Sequence, residues 1–502
     1  MIETHWFHAE NVLTRHLKDW RTVDEISEAL RTDPLAGLKL AELSLMERHE
    51  LLIAEKTPLL PTIQSLRVAM AMVAMHRNSL RIRNPALATG RRFVSESIEA
   101  AKSGFNFLSV PPAPGACIQI VKGITGTAKT VTVKHTLRSL IGTQVIHHAE
   151  QPAALFKSAE QLSWLFVGMS HDGSRGGLLS GILRAVDAQL GTTYAVELPR
   201  SYKSVERLSG AVIALLHSLY LGILVIDEIQ LLNLVDAPHA QLMQLFILSL
   251  ANSGIPVVLV GNPFGFSWLP VFSQNLSRGI ERPQVMFHPA GAVGEPNDDE
   301  WESIFTGIHM YYLLEQPVRN PLRFSALLKM RSGGIPRVAL ALWCSGQIEA
   351  LTDGRVTLEL DDIEAVYRSE SFADMRMLCD GFANRDPTLL MRWRDADIPV
   401  DFYAAAWGKP LGADAATQVR SVGVTVNSAA PTDSAKKPKE SRARSAAAAL
   451  KAAQTRQKTK QEAREKLLQS LPSGDMRLDG MKRHALDSLD ELMKEIEANK
   501  GK

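Results

Sequence analysis

The chain has 502 residues, room for about three domains at roughly 150 residues each. Hydrophobic residues are 45% and charged residues 22%, a balance that excludes a mostly disordered or fibrous chain. The net charge of only +2 speaks against a strong nucleic-acid or membrane binder, but it conceals a segment: residues 436–466 hold 11 Lys/Arg and 3 Asp/Glu, a surplus of +8 offset by −6 elsewhere.

Cys117, Cys344 and Cys379 are too far apart for a CxxC pair or a metal-ligand spacing. A disulfide framework is excluded and a reducing compartment is expected. The N-terminal MIETHWFHAEN places acids and aromatics where a secretory signal would have an apolar run. The longest apolar stretch, Gly210–Ile226, is broken by His217, Ser218 and Gly222 and falls short of the about 20 residues of a membrane span. The expectation is a cytoplasmic protein that does not enter a membrane.

In chain order, residues 1–85 read as helical. Thr22 and Glu25 have the spacing of a capping box, and Leu38–Ala54 repeats apolar positions at helical intervals. From Lys56 to Val94 there are seven Lys/Arg and no acid, with Arg77, Arg81, Arg83, Arg91 and Arg92 clustered. Two readings stand: a solvated face meeting acidic neighbours, or a phosphate-contacting surface.

From Cys117 short apolar runs alternate with helical patterns. CIQIV (117–121), QLSWLFVG (161–168), GILVIDE (222–228), PVVLVGN (256–262) and VMFH (285–288) read as strands. Helices fall near 130–141, 175–189, 203–219 and 239–252. This alternation predicts a parallel sheet covered on both faces. Residues 297–370 read as helices only, with breaks at Pro321 and Gly333–Gly334. Residues 371–430 are less regular, and beyond Val426 the composition becomes that of a linker.

Directly after the first strand stands GITGTAKT, Gly123 to Thr130, one residue from the P-loop pattern G-x-x-x-x-G-K-T. Gly123 and Gly126 let backbone N–H groups approach phosphates, Lys129 supplies charge for the terminal phosphates, and the Thr130 hydroxyl can ligate Mg²⁺. Ala128 stands where glycine is usual, which leaves binding in place and makes hydrolysis less certain. A Gly/Thr-rich structural turn is the competing reading. GILVIDEIQ favours the functional one, because a buried strand ends in two acids without evident compensation. Asp227 can hold Mg²⁺ and Glu228 can orient the attacking water. Asn262, at the end of the next strand, can hydrogen-bond that water or the terminal phosphate. Arg278 and Arg282 in FSQNLSRGIER, and Arg337 in GGIPR, can stabilise charge on a γ-phosphate.

GITGTAKT, ILVIDEIQ, VVLVGNP, SRGIER and GGIPR, in this order, resemble an AAA+ ATPase. With RNPAL (83–87), QLSWLFVGMSHDGS (161–174) and IDEIQLL (226–232), the chain looks like the TnsC/TniB family of transposition regulators. The resemblance covers about residues 60–370. It implies an α/β AAA+ P-loop NTPase: a parallel sheet with helices on both faces, a helical lid, a helical N-terminal region and a largely disordered basic C-terminal tail. The implied divisions are 1–85 (helical, partner binding), 86–292 (nucleotide-binding core), 293–370 (lid), 371–430 (extension) and 431–502 (basic linker and short amphipathic helix).

By the same resemblance, Gly123, Ile124, Thr125, Gly126, Thr127, Ala128, Lys129 and Thr130 would form the Walker A loop. Thr132, Arg83, Asn84 and Arg337 would complete the ATP contacts, with Arg83 and Asn84 bordering the adenine. Thr130 and Asp227 would hold magnesium. Glu228, Lys129, Asn262, Arg278 as arginine finger (Arg282 in reserve) and Arg337 would be catalytic. The implied partners are duplex DNA, transposase subunits, a target-selector protein and further copies of the chain in a ring or filament. Other roles of the same machinery are a loader or initiator on another DNA-processing machine, or an ATP-sensing scaffold with little hydrolysis.

In the tail, residues 436–466 suit a basic arm on phosphates or a solvated linker. Ala485, Leu489, Leu492 and Ile496 form one apolar helix stripe, to dock on a partner or on the protein itself. His5, His8, His147 and His148 lack a matching set of zinc ligands. His171–Asp172–Gly173 reads as a polar turn, and Trp164 as core.

Overall fold

A computed structural model describes residues 6–103, 117–149, 158–231, 237–266, 284–293, 298–393, 398–409 and 411, all within one compact unit, 1–421. The basic segment, the C-terminal stripe, Arg278 and Arg282 lie outside the described residues.

Five strands form the central sheet: β1 (Ile118–Gly123), β4 (Trp164–Gly168), β5 (Ile223–Asp227), β6 (Val257–Gly261) and β7 (Val285–Phe287). Their order is β4-β5-β6-β1-β7 and every pairing is parallel. QLSWLFVG is two strands where one was expected. Its first part belongs to β3 (Ala159–Leu162), which pairs antiparallel with β2 (Val145–His148), and the chain changes sheet at Ser163. Ser163 N donates to Gln144 O across 2.7 Å, so the crossing residue keeps its backbone bond although it is fully buried.

Alternation along the strands builds two cores. On β5, Leu224 and Ile226 face one side, packing with α4 (Ala88–Lys102), α6 (Arg175–Leu190), α8 (Val205–Ser218) and α9 (Ala237–Asn252). Ile223 and Val225 face the other side, against α1 (Val23–Leu30), α3 (Ile63–Ile82) and α5 (Lys129–His135). All five β5 residues are therefore buried, which explains their continuous apolar run. The apolar face of α3 (Val68, Ala69, Met72, Val73, Met75) belongs to this second layer.

Local signals mark several helix starts. Thr22 Oγ1 accepts from Glu25 N, but the Glu25 carboxylate takes Arg21 N, one residue short of a full capping box. α2 (Leu45–Ala54) carries the complete box, Ser44 with Glu47. After α5 the helix widens into a π turn over Thr136–Ile141.

Beyond β7 come helices Asp298–Met310, Pro321–Ser332, Pro336–Thr352 and Leu360–Arg368. They enclose Trp343, fully buried, with Phe324 and Phe305 edge-on to its ring and its Nε1 donating to Tyr311 O at 2.9 Å. The same core runs on through Leu378, Cys379, Phe382 and Tyr403 from the short helices Ala373–Ala383 and Val400–Ala406. The irregular pattern after residue 370 thus reflects short helices, each adding one to three core side chains. Leu52 of α2 joins this core, and the Arg48 guanidinium donates to Leu313 O. Among the described residues no helix is long and apolar enough to cross a membrane.

Candidate active site

β1, β6 and β5 are adjacent and parallel, so their carboxyl ends bring the three motifs to one edge of the sheet. The loop after β1 is held tightly. A Cβ on Gly123 would stand 2.4 Å from Phe287 O, so only glycine lets the loop leave β1 beside β7. Gly126 has φ +87°, a left-handed conformation that glycine adopts freely. Thr127 Oγ1 and Lys129 Nζ both donate to Ile124 O, at 2.8 and 2.7 Å. From the lid, Arg337 N donates to Gly126 O at 3.1 Å.

Ala128 also lies in the left-handed region, at φ 66°, ψ 17°. For a residue with a Cβ this costs about 1–2 kcal/mol. Its carbonyl accepts Thr132 N at 2.9 Å and so begins α5. The departure from the usual glycine therefore falls where the backbone favours glycine, and alanine is held there under strain.

Asp227 closes β5 at 5% exposure. Its Oδ2 accepts the Thr130 hydroxyl at 2.8 Å and its Oδ1 accepts Glu228 N at 2.9 Å. Glu228 is exposed, with a positive φ of 59°, and its carboxylate accepts a hydrogen bond from Gln230 Nε2. Asn262 follows β6. Its Oδ1 is 3.4 Å from Lys129 Nζ, its Nδ2 is 3.4 Å from Thr125 Oγ1, and its backbone N donates to Gln230 Oε1 at 3.1 Å.

These groups line one cleft of about 560 Å³, within the size range of small-molecule sites. Thr125, Gly126, Ala128, Lys129 and Thr130 form its floor, Asp227, Glu228, Gln230 and Asn262 one wall, and Arg337 and Leu340 another. Ile53, Ala54, Glu55 and Thr57 complete it. The donor set suits Mg²⁺: a hydroxyl and a carboxylate oxygen in contact, with the remaining coordination left to phosphate and water.

Gly123, Ile124 and Thr127 lie under the loop rather than on the cleft. Thr132 lines a second, smaller cavity that shares Thr57, Ala128, Pro336 and Leu340 with the first. Its hydroxyl is fully buried with no hydrogen-bond partner among the described residues. Neither Arg83 nor Asn84, expected to border the adenine, is among the residues that line the cleft. Arg83 is fully buried, donating to Ser79 and to Leu221 O at the amino end of β5, and Asn84 Nδ2 donates to Glu10 O. The cleft lies at the carboxyl end, about 17 Å away along a five-residue strand. RNPAL thus ties α3 to the back of the sheet.

The rest of the arginine stretch is also engaged within the chain. Arg77 pairs with Asp19, Arg92 with Glu96, Arg91 donates to Pro85 O and Ala86 O, and Arg81 stacks on Phe7. This favours the intramolecular reading over the phosphate-contacting one. His171–Asp172–Gly173 is a capping turn: hydrogen bonds from Ser174 and Ser170 hold the Asp172 carboxyl down at about 2. Trp164 is half-buried, its Nε1 bonded to Gly142 O.

Two parts of the site escape sequence reasoning. Gln230 stands inside the IDEIQ motif, two residues past the acids, and its position there was the available signal. Ile53–Thr57 carries none, because α2 reaches the cleft only through its packing on the lid.

Residues 115–268 match the family model described as an AAA domain. No curated protein matches the chain. Among solved structures it is similar to the ORC2 protein of Aeropyrum pernix, with 13% identity over 65% of this chain and 84% of that one and a TM-score of 0.37. Drosophila ORC bound to DNA shows 14% identity over 80% and 88%, TM-score 0.38. A Thermotoga maritima RuvB mutant shows 14% over 63% and 81%, TM-score 0.30. The five-stranded parallel sheet, the loop after β1 and the flanking helices are the AAA+ P-loop fold.

Proposed function

With an AAA domain over residues 115–268 as the premise, we propose that this protein binds and hydrolyses Mg-ATP. One observation carries the reading: the loop after β1, the acids of β5, the amide after β6 and an arginine from the lid line a single cleft. Backbone N–H groups of Thr125–Thr130 and the Lys129 ammonium hold the phosphates. Thr130 and Asp227 hold Mg²⁺, which when bound neutralises charge on the β- and γ-phosphates. Glu228 and Asn262 orient the water, and Arg337 offsets charge on the transferred phosphoryl group. Glu228→Gln tests this: turnover should fall at least about a hundredfold with ATP still bound. Undiminished turnover would refute the hydrolytic reading.

We infer further that ATP-dependent self-assembly on duplex DNA links a target-selector protein to transposase subunits, with Arg278 reaching a neighbouring copy's phosphate. The support is the resemblance of the motif set to the TnsC/TniB family. The test is strand transfer by a transposase encoded beside this protein: it should require this chain and ATP. Stimulation of a helicase instead would favour the loader reading. The strained Ala128 favours a second reading, an ATP-sensing scaffold with little hydrolysis. Single-turnover hydrolysis with and without duplex DNA separates the two.

A further inference from the structure

We propose that Gln230 is the positioning residue that sets the Glu228 carboxylate against Asn262. The proposal rests on the hydrolytic reading above and adds the element that couples the acid of β5 to the amide of β6. The side-chain orientation is determined by its neighbours. Asn262 N can only donate, so it takes Gln230 Oε1, at 3.1 Å. Nε2 is thereby turned to the Glu228 carboxylate, to which it donates. One amide therefore holds two groups from adjacent strands.

The seat is built closely. A Cβ on Gly261 would stand 2.7 Å from Gln230 Oε1, and one on Gly265 would stand 2.6 Å from Gln230 N and 2.7 Å from its Cα. Glycines at the end of β6 and in the turn after it thus let the glutamine lie against that backbone. Ile229, fully buried between Glu228 and Gln230, pins the turn that carries both. Glu228 needs such a partner. It is exposed, it sits in a left-handed backbone conformation, and an exposed carboxylate on three rotatable bonds otherwise samples many rotamers.

The contact also places Glu228 in communication with the loop. Asn262 binds Gln230 through its backbone and reaches Lys129 and Thr125 through its side chain. A phosphate that draws on Lys129 and Asn262 acts on the group that holds Gln230, and through it on Glu228.

The test compares Gln230→Ala, Gln230→Glu and Glu228→Gln in the full-length chain, with thermal melting as the fold control. Gln230→Ala should lower kcat about tenfold while ATP affinity, measured with a fluorescent ATP analogue, stays within about twofold. Gln230→Glu keeps an acceptor for Asn262 N but replaces the donor to Glu228 with a second carboxylate. Its kcat should fall at least as far as that of Gln230→Ala, because the like charge drives the Glu228 carboxylate from its place. A role confined to folding would lower melting or affinity along with kcat. Unchanged or raised kcat in Gln230→Ala, or parent-like kcat in Gln230→Glu, overturns the proposal. If Glu228→Gln itself keeps full turnover, the hydrolytic reading fails instead, which separates the two failures.

Discussion

The Thr130 hydroxyl donates to the Asp227 carboxylate across 2.8 Å, joining residues 97 positions apart in the chain. The contact brings the loop after β1 and the acids of β5 together at one edge of the sheet. It also makes the metal reading testable. Thr130→Ala should weaken ATP binding on the order of tenfold in the presence of Mg²⁺, the loss of one charge-assisted contact. With EDTA the variant and the parent should bind alike. Isothermal titration under both conditions measures the difference, and an equal loss without metal would remove Thr130 from the metal shell.

Ala128 holds a left-handed conformation at the start of α5. Ala128→Gly should relieve that strain, partly offset by the greater freedom of glycine in the unfolded chain, for a net gain on the order of 0.5–1 kcal/mol. Denaturant unfolding reads this directly. A loss of stability would show that the alanine methyl contributes packing that outweighs the strain.

Arg337 bonds the loop through its backbone N and presents its side chain to the cleft. Arg337→Ala leaves the backbone bond in place, so the fold should hold. Turnover should fall ten- to a hundredfold, about the value of one cationic contact to a phosphate. Steady-state hydrolysis checks it, and parent-like turnover would place the side chain outside the chemistry.

His76 and His217 are fully buried, and burial pushes both down to about 3, with Arg83 adding repulsion. His76 bonds Ser163 Oγ at 3.0 Å and His217 bonds Ser253 Oγ at 3.2 Å, both as neutral rings. Below the ordinary histidine range near 6.5 the unfolded chain takes up protons that the folded chain refuses. Stability should therefore be flat above pH 7 and decline as pH falls from about 6.5 toward 3, by on the order of 2–3 kcal/mol at pH 5.5 for the pair. Thermal melts from pH 7.5 to 5 should show this decline, and it should shrink in His217→Gln. A flat melting temperature over that range would contradict the buried neutral state.

Much of this was open to the sequence because it depends on neighbours in the chain. Apolar strands buried on both faces announce themselves as runs, as in Ile223–Asp227, and GITGTAKT encodes its own turn through Gly126. The order of the strands has no such local signal. The break at Ser163 was invisible, since no glycine or proline marks the point where the chain leaves one sheet for the other. Arg83 is a further case: its place at the amino end of β5 is set by the packing of α3, which no local pattern reports.

By itself the sequence determined the alternation of strands and helices, the loop after β1 and the acids that close β5, because burial period, turn chemistry and the cost of unpaired charge act over a few residues. The tertiary structure alone decided which of these meet. It placed β6 between β1 and β5, so that Asn262 stands beside Lys129. It brought Ile53–Thr57 to the cleft through the lid core, and it seated Gln230 between Glu228 and Asn262 on two glycines. These are contacts between elements far apart in the chain, and their geometry comes from close packing of the whole domain, which the spacing of residues does not carry.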